Sequence, residues 1–275
     1  METILVATDF SNSSDNATNY AVELAKYFNA KIVLVNSFPM PYSSFETGGM
    51  PGEMISIMQE ASAGGLQNLK KKIEQNNKSD FDIECYSEMG YAEDIIIEVA
   101  KKTKADIIVM GITGDGEKTK KHLIGGTAIK VARNTDIPTF IIPNNARYHS
   151  IKKISFACNL NQTEESDLIS ISKYFGKVFN AELEIINVEE PGEGFSEEKS
   201  QTCAIMDKKL KTLIHKTVFI TEKSTGKALE DYFREHPTDV IMVNPRKHNL
   251  FHNLFSHSIS KELAFHCKYP LLCIH

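Results

Sequence analysis

The chain has 275 residues, 41% hydrophobic and 24% charged, the composition of a globular protein long enough for one large domain or two ordinary ones. A formal charge of -5 excludes a broad basic field for nucleic acid or an anionic membrane surface, and no apolar run approaches the roughly 20 residues that span a bilayer. The start, METILVATDF, lacks the basic segment and long apolar core of a secretory leader, so a cytoplasmic protein is expected.

In chain order, residues 4–8 predict a short apolar strand ending at Asp9. Residues 11–30 carry apolar side chains at helical spacing, with Ser11 or a neighbouring serine as the cap. Residues 31–35 read as a buried, β-branched strand and 38–52 as a loop rich in Pro, Ser, Tyr and Gly. A long helix follows over 53–76, carrying Met54, Ile57 and Met58 among its apolar positions, and Gly64-Gly65 points to a kink in its middle. Met54, Met58 and Met89 are read as core or loop filling. A third strand over 80–86, a helix over 92–102, a fourth strand over 107–110, a helix over 127–134 and a fifth strand over 139–142 complete the order βαβαβαβαβ. Strands separated by helices run parallel with right-handed crossovers. The fold class is therefore α/β, a doubly wound five-stranded sheet of order 3-2-1-4-5, with its ligand crevice at the carboxyl ends of the strands.

The stretch 106–143 carries the chemistry. Its strand is expected to break at Gly111 and Gly114; a lysine-rich loop then leads to Gly125, Gly126 and Thr127 at the start of a helix. Glycine lets the backbone approach an anion, and the N–H groups of a helix start favour phosphate. Asp9 stands where an acid can accept hydrogen bonds from ribose hydroxyls, Ala7 and Thr8 offer backbone groups to an adenine edge, Ser37 ends the second strand beside them, and Met110 precedes Gly111. The competing reading of Asp9 is an acid that only stabilises a helix dipole.

Beyond a polar stretch at 143–150 the same programme restarts, so two tandem domains are expected, 1–145 and 150–275. ISFACNLN at 154–161 repeats ILVATDFS at 4–11, with Asn159 in place of Asp9, and Asn161 to Glu164 can cap the next helix. Further strands are predicted at 181–188, 218–221, 240–243 and 269–274, with helices at 203–214 and 228–235 and an acidic loop at 189–200.

ILVATDFS, GYAEDIIIEVAKKTKADIIVMG and the glycine loop ending in an IP-x-F-I-I strand resemble the universal stress protein family in its tandem form. The resemblance implies ATP, with or without magnesium, held by a G-x2-G-x9-G-[S/T] loop. Gly111 and Gly114 match its first half. Ten residues separate Gly114 from Gly125 and eleven separate it from Gly126-Thr127, so either Gly125 or Gly126 can stand as the third motif glycine. In the second domain Asn244, Lys247 and His257 keep the family spacing with every glycine replaced, and Pro245 removes an N–H donor. That copy is expected not to bind ATP, and it implies that the fold alone does not demand the first-domain glycines. The resemblance also implies pairing of the two domains through their fifth strands, 139–142 against 271–274, and allows a homodimer.

Five cysteines without C-x-x-C spacing imply neither a disulfide framework nor a thiolate metal site. His248, His252, His257 and His266 lack the carboxylate or cysteine that would complete a zinc set. Asp115 and Glu117 lie in the glycine loop without a Walker-type lysine, so no catalytic residue is assigned and no enzyme is expected. Two readings remain ahead of a slow hydrolase: an ATP-binding regulatory protein, and a nucleotide-free interaction scaffold of the same fold.

Overall fold

In the computed structural model the described residues are 1–40, 51–77, 82–112, 126–158, 160, 166–189, 191–192, 196–245 and 269–275. The chain divides into two compact units between Tyr148 and His149. Among the described residues no helix is long and apolar enough to cross a membrane.

The first unit runs β1 (Thr3–Ala7), α1 (Asn12–Phe28), β2 (Lys31–Phe38), α2 (Pro51–Asn76), β3 (Ile83–Met89), α3 (Ala92–Lys102), β4 (Ile107–Ile112), α4 (Gly126–Asn134) and β5 (Thr139–Pro143). Its strands are all parallel in the order β3-β2-β1-β4-β5. The central pair shows why. Ile4, Leu5 and Val6 of β1 and Ile107, Ile108 and Val109 of β4 are wholly buried, the continuous apolar runs of strands covered on both faces. Helix α1 packs over β4 and β5, α2 covers β2 and β3, and α3 packs against α4. The start of β1 is held by Asp106, whose carboxylate accepts the backbone N–H groups of Glu2 and Thr3 at 2.5 and 2.9 Å.

Four expectations need correction in this unit. The third strand begins at Ile83 and runs to Met89, because its side chains are mostly half-buried and give no clean alternation. Helix α2 is continuous through Gly64-Gly65. Gly65 is a seat rather than a kink: a Cβ there would lie 2.6 Å from the ring of Phe10. Met54 and Ile57 are exposed rather than core, since the first turns of α2 reach beyond the sheet's apolar cover, and Met89 is exposed at the end of the edge strand β3. Finally, β4 does not break at Gly111 but continues to Ile112, with Gly111 in register with Ile142 of β5.

The second unit runs β6 (Lys153–Cys158), α5 (Ser166–Phe179), β7 (Glu182–Glu189), α6 (Glu197–Leu210), β8 (His215–Thr221), α7 (Thr225–Glu235), β9 (Val240–Val243) and β10 (Leu271–Cys273). The order β10-β9-β6-β7-β8 is again the 3-2-1-4-5 arrangement, all parallel. Asp239 repeats the role of Asp106, accepting the N–H groups of Lys152 and Lys153. Helix α6 starts six residues before the predicted 203, because Ser196 caps it by accepting the Lys199 N–H. The acidic stretch is therefore not all loop. Glu189 ends β7, buried against the Lys199 ammonium at 3.0 Å. Strand β8 begins at His215, three residues before the predicted 218. Gly114, Asp115, Glu117, Gly125, Asn159, 161–165, Arg246, Lys247, His248, His252, His257 and His266 lie outside the described residues.

Candidate functional site

The β1–α1 turn is fixed by short polar side chains. Ser11 accepts the Ser14 N–H at 3.3 Å as the N-cap of α1, and Asp9 Oδ1 accepts the Ser11 N–H at 3.0 Å. Thr8 Oγ1 accepts the Phe10 N–H at 3.0 Å, which helps hold Phe10 at a φ of 62°. Burial pushes the Asp9 carboxyl up, but hydrogen bonds from the side chain and backbone of Ser11 and from Ser14 outweigh it and hold the group below its ordinary value. Asp9 is thus an ionised, exposed acceptor at the carboxyl end of β1.

Beside it, Ala7 pairs with Met110 across the β1–β4 ladder and with Val35 across the β1–β2 ladder. These strand ends open into a cleft of about 310 Å³, whose lining includes Asp9, Ser37, Met110, Gly111, Gly126 and Thr127. Ala7 and Thr8 line it too. Every predicted site residue among the described ones therefore meets in one cavity, although 106–143 and the turn at 7–9 are about 100 positions apart. A parallel βα fold gathers helix starts at the carboxyl ends of its strands, so α1 and α4 both begin here.

Gly126 is the first residue of α4 and Thr127 the second. Gly111 answers a different need from the one its sequence position suggests. A Cβ on it would lie 2.5 Å from the carbonyl oxygen of Ser13 and 2.7 Å from the Ser13 hydroxyl. The close approach of α1 to β4 requires glycine there, so the expectation that the fold does not demand the first-domain glycines fails for Gly111.

The backbone of Thr8 also departs from its predicted role. Its N–H donates to the Val35 carbonyl at 2.9 Å, and its carbonyl accepts the Asn36 side-chain amide at 2.7 Å. Asn36 is locked in turn by the Ser62 hydroxyl, 2.6 Å from its Oδ1, and Ser62 accepts the hydroxyl of Ser87 at 2.7 Å. The free main chain lies one residue on. In β2 the odd-numbered residues direct their backbone groups toward β1, as the bonds from Lys31 N–H to Glu2 and from Thr8 N–H to Val35 show. Ser37 faces the same way just past the end of β1, and its backbone groups have no partner among the described residues.

Sequence reasoning missed Ser13, Ser14 and Asn36 as lining residues. The signal was the run Ser11-Asn12-Ser13-Ser14, which holds more hydroxyls than one helix cap uses. The arrangement fits a phosphate-bearing ligand: helix starts supply N–H donors at the strand ends, and Asp9 accepts from hydroxyls.

A sequence profile of the universal stress protein family matches residues 1–143. A universal stress protein of Methanocaldococcus jannaschii is 32% identical over 148 residues, 50% of this chain and 80% of that protein. The stress response protein NhaX of Bacillus subtilis is 28% identical over 163 residues, 50% of this chain and 96% of that protein. Over the whole chain, the crystal structure of a universal stress protein from Archaeoglobus fulgidus superposes with a TM-score of 0.73 at 18% identity, covering 99% of this chain and 97% of that one.

Proposed function

Because this chain belongs to the universal stress protein family, we propose that it is an ATP-binding regulatory protein in which the first unit holds one nucleotide as a conformational signal. The observation that carries this reading is the convergence of Asp9, Ser37, Met110, Gly111, Gly126 and Thr127 on one cleft at the switch point of the sheet. Its volume, about 310 Å³, falls in the range of small-molecule sites. In this reading Asp9 takes the ribose hydroxyls, the main chain of Ser37 reads the base edge, and Gly111, Gly126 and Thr127 border the phosphates, with Gly114 and Gly125 assigned to the same loop from sequence. Magnesium, if it accompanies ATP, is carried in by the phosphates.

The action is binding rather than turnover. A ligand shifts an equilibrium only by its differential affinity, so the signal requires a segment arranged differently in the empty and filled protein. The second unit, with the same strand order and no motif glycines at Asn244, Lys247 and His257, is proposed as a tandem copy without a nucleotide.

Nucleotide analysis of the purified, heat-denatured protein and a thermal shift with ATP test the proposal. Co-purified adenine nucleotide, or a rise in melting temperature with ATP, supports it. No nucleotide and no shift at millimolar ATP would sink it in favour of the scaffold reading.

A further inference from the structure

The hydroxyls around the β1–α1 turn are nearly all used. Thr8 Oγ1 donates to Ser14 Oγ at 3.1 Å, Ser14 Oγ donates to the Ser11 carbonyl at 3.0 Å, and Ser11 caps the helix. Ser13 is the exception. It is 5% exposed, and its hydroxyl has no hydrogen-bond partner among the described residues. A buried hydroxyl left without a partner costs about 1 to 3 kcal/mol. Such a group in a functional cleft points to a ligand that completes it.

Its position narrows the ligand. Ser13 is the second residue of the 17-residue helix α1, among the N–H groups that have no intrahelical acceptor. It lines the same cleft as Gly111, whose bare Cα lies under its hydroxyl, and as Gly126 and Thr127 at the start of α4. Among the described lining residues there is no lysine or arginine. Compensation of an anion by these residues therefore falls to helix starts and neutral donors. Asp9 is the one carboxylate of that lining, and it repels phosphate while accepting from hydroxyls. It thereby sets a direction, sugar toward Asp9 and phosphate toward Ser13.

We propose that the Ser13 hydroxyl and the start of α1 form a second phosphate seat in this cleft, sharing the phosphates with the start of α4, so that the site selects a nucleoside polyphosphate over the nucleoside. The proposal rests on the nucleotide reading of the cleft. It adds a donor that lies outside the glycine loop.

Titration calorimetry on the full chain, wild type and Ser13→Ala, with ATP, AMP, adenosine and inorganic tripolyphosphate, tests it. Loss of a hydrogen bond to a charged oxygen predicts roughly tenfold weaker ATP binding by Ser13→Ala, with adenosine unchanged. The ligand-free variant should melt at or above the wild-type temperature, since the substitution removes an unpartnered group. Equal ATP affinity in the two proteins overturns the seat while leaving the ATP reading intact. If the wild type binds neither ATP nor adenosine, the ATP reading fails, and tripolyphosphate then decides the seat alone. Binding by wild type and not by Ser13→Ala upholds a free-polyphosphate site; equal binding or none overturns it. A lower melting temperature of the ligand-free variant also overturns it, because the hydroxyl would then have a structural partner.

Discussion

The two units place different chemistry at equivalent points of sheets with the same strand order. In the first, Leu5 of β1 stands opposite Val33 of β2, both wholly buried. In the second the corresponding pair is Ser155 opposite Glu184. Glu184 is wholly buried, yet it accepts from Ser155 Oγ and Tyr232 OH at 2.8 Å each and pairs with Lys153 and Lys216 at 3.0 and 2.8 Å. A further contrast lies at the crevice end. Asn36 and Asn187 hold equivalent positions, but Asn36 leads to the serine chain beside an open cleft, whereas Asn187 donates to Glu189 beside a buried ion pair with Lys199. One scaffold thus tolerates either apolar or ionic filling, provided that each buried charge is fully partnered.

The largest expected effect tests that condition. Glu184→Ala leaves Tyr232 without its acceptor, Ser155 with only Thr238 Oγ1 at 3.0 Å and Lys153 without its counter-charge, and should cost about 3 to 5 kcal/mol in urea unfolding, nearer the lower figure because Lys216 can turn to water. Installing the first unit's pair, Ser155→Leu with Glu184→Val, should recover the part of that loss due to unfilled space, while Tyr232 and Lys153 still lack the carboxylate. If it does not, the ionic cluster specifies the second unit's packing beyond its own energy. Acid makes the same cut reversibly. Burial pushes the Glu184 carboxyl up, but hydrogen bonds from Lys216, Ser155, Tyr232 and Lys153 bring it down to about 2 from an ordinary 4.5. A depressed folded-state value stabilises above the unfolded one, so this contribution is complete above about pH 4.5 and fades as pH falls toward 2. Urea midpoints measured from pH 5 to pH 2 should fall more steeply for the wild type than for Glu184→Gln.

These contrasts also mark what the sequence made legible. Apolar runs separated by helical spacing were enough for the strand order of both units, because a parallel sheet buries β1, β4, β6 and β9 on both faces. The convergence of Asp9 with Gly111 followed from that order. Edge strand β3 lies three residues later than expected and β8 starts three residues earlier, since half-buried side chains carry little periodicity. The roles of Ser13 and of the Glu184 cluster were not legible, for a different reason. Both depend on which side chains face each other across elements: the serine run at 11–14 shows a surplus of hydroxyls but not which of them lacks a partner, and a lone glutamate in a strand pattern does not announce its own. Gly65 shows the same limit, being read as a flaw in a helix when its role is set by Phe10, 55 positions away.

Gly111 and Gly65 offer the sharpest remaining test, because the clash distances are nearly equal and the expected outcomes are not. A Cβ at Gly111 would meet backbone, the Ser13 carbonyl at 2.5 Å, and neither α1 nor β4 can move without disturbing the central sheet. Gly111→Ala should therefore cost about 1 to 3 kcal/mol and abolish the ATP-induced thermal shift. A Cβ at Gly65 would meet the Phe10 ring at 2.6 Å, but that ring is 41% exposed and ends a rotatable side chain. Alanine in mid-helix also gains up to about 1 kcal/mol over glycine, which offsets the ring's displacement. Gly65→Ala should then leave the melting temperature close to wild type. A loss matching that of Gly111→Ala would show that the Phe10 ring, on a backbone held at positive φ, is fixed against α2 and cannot swing aside.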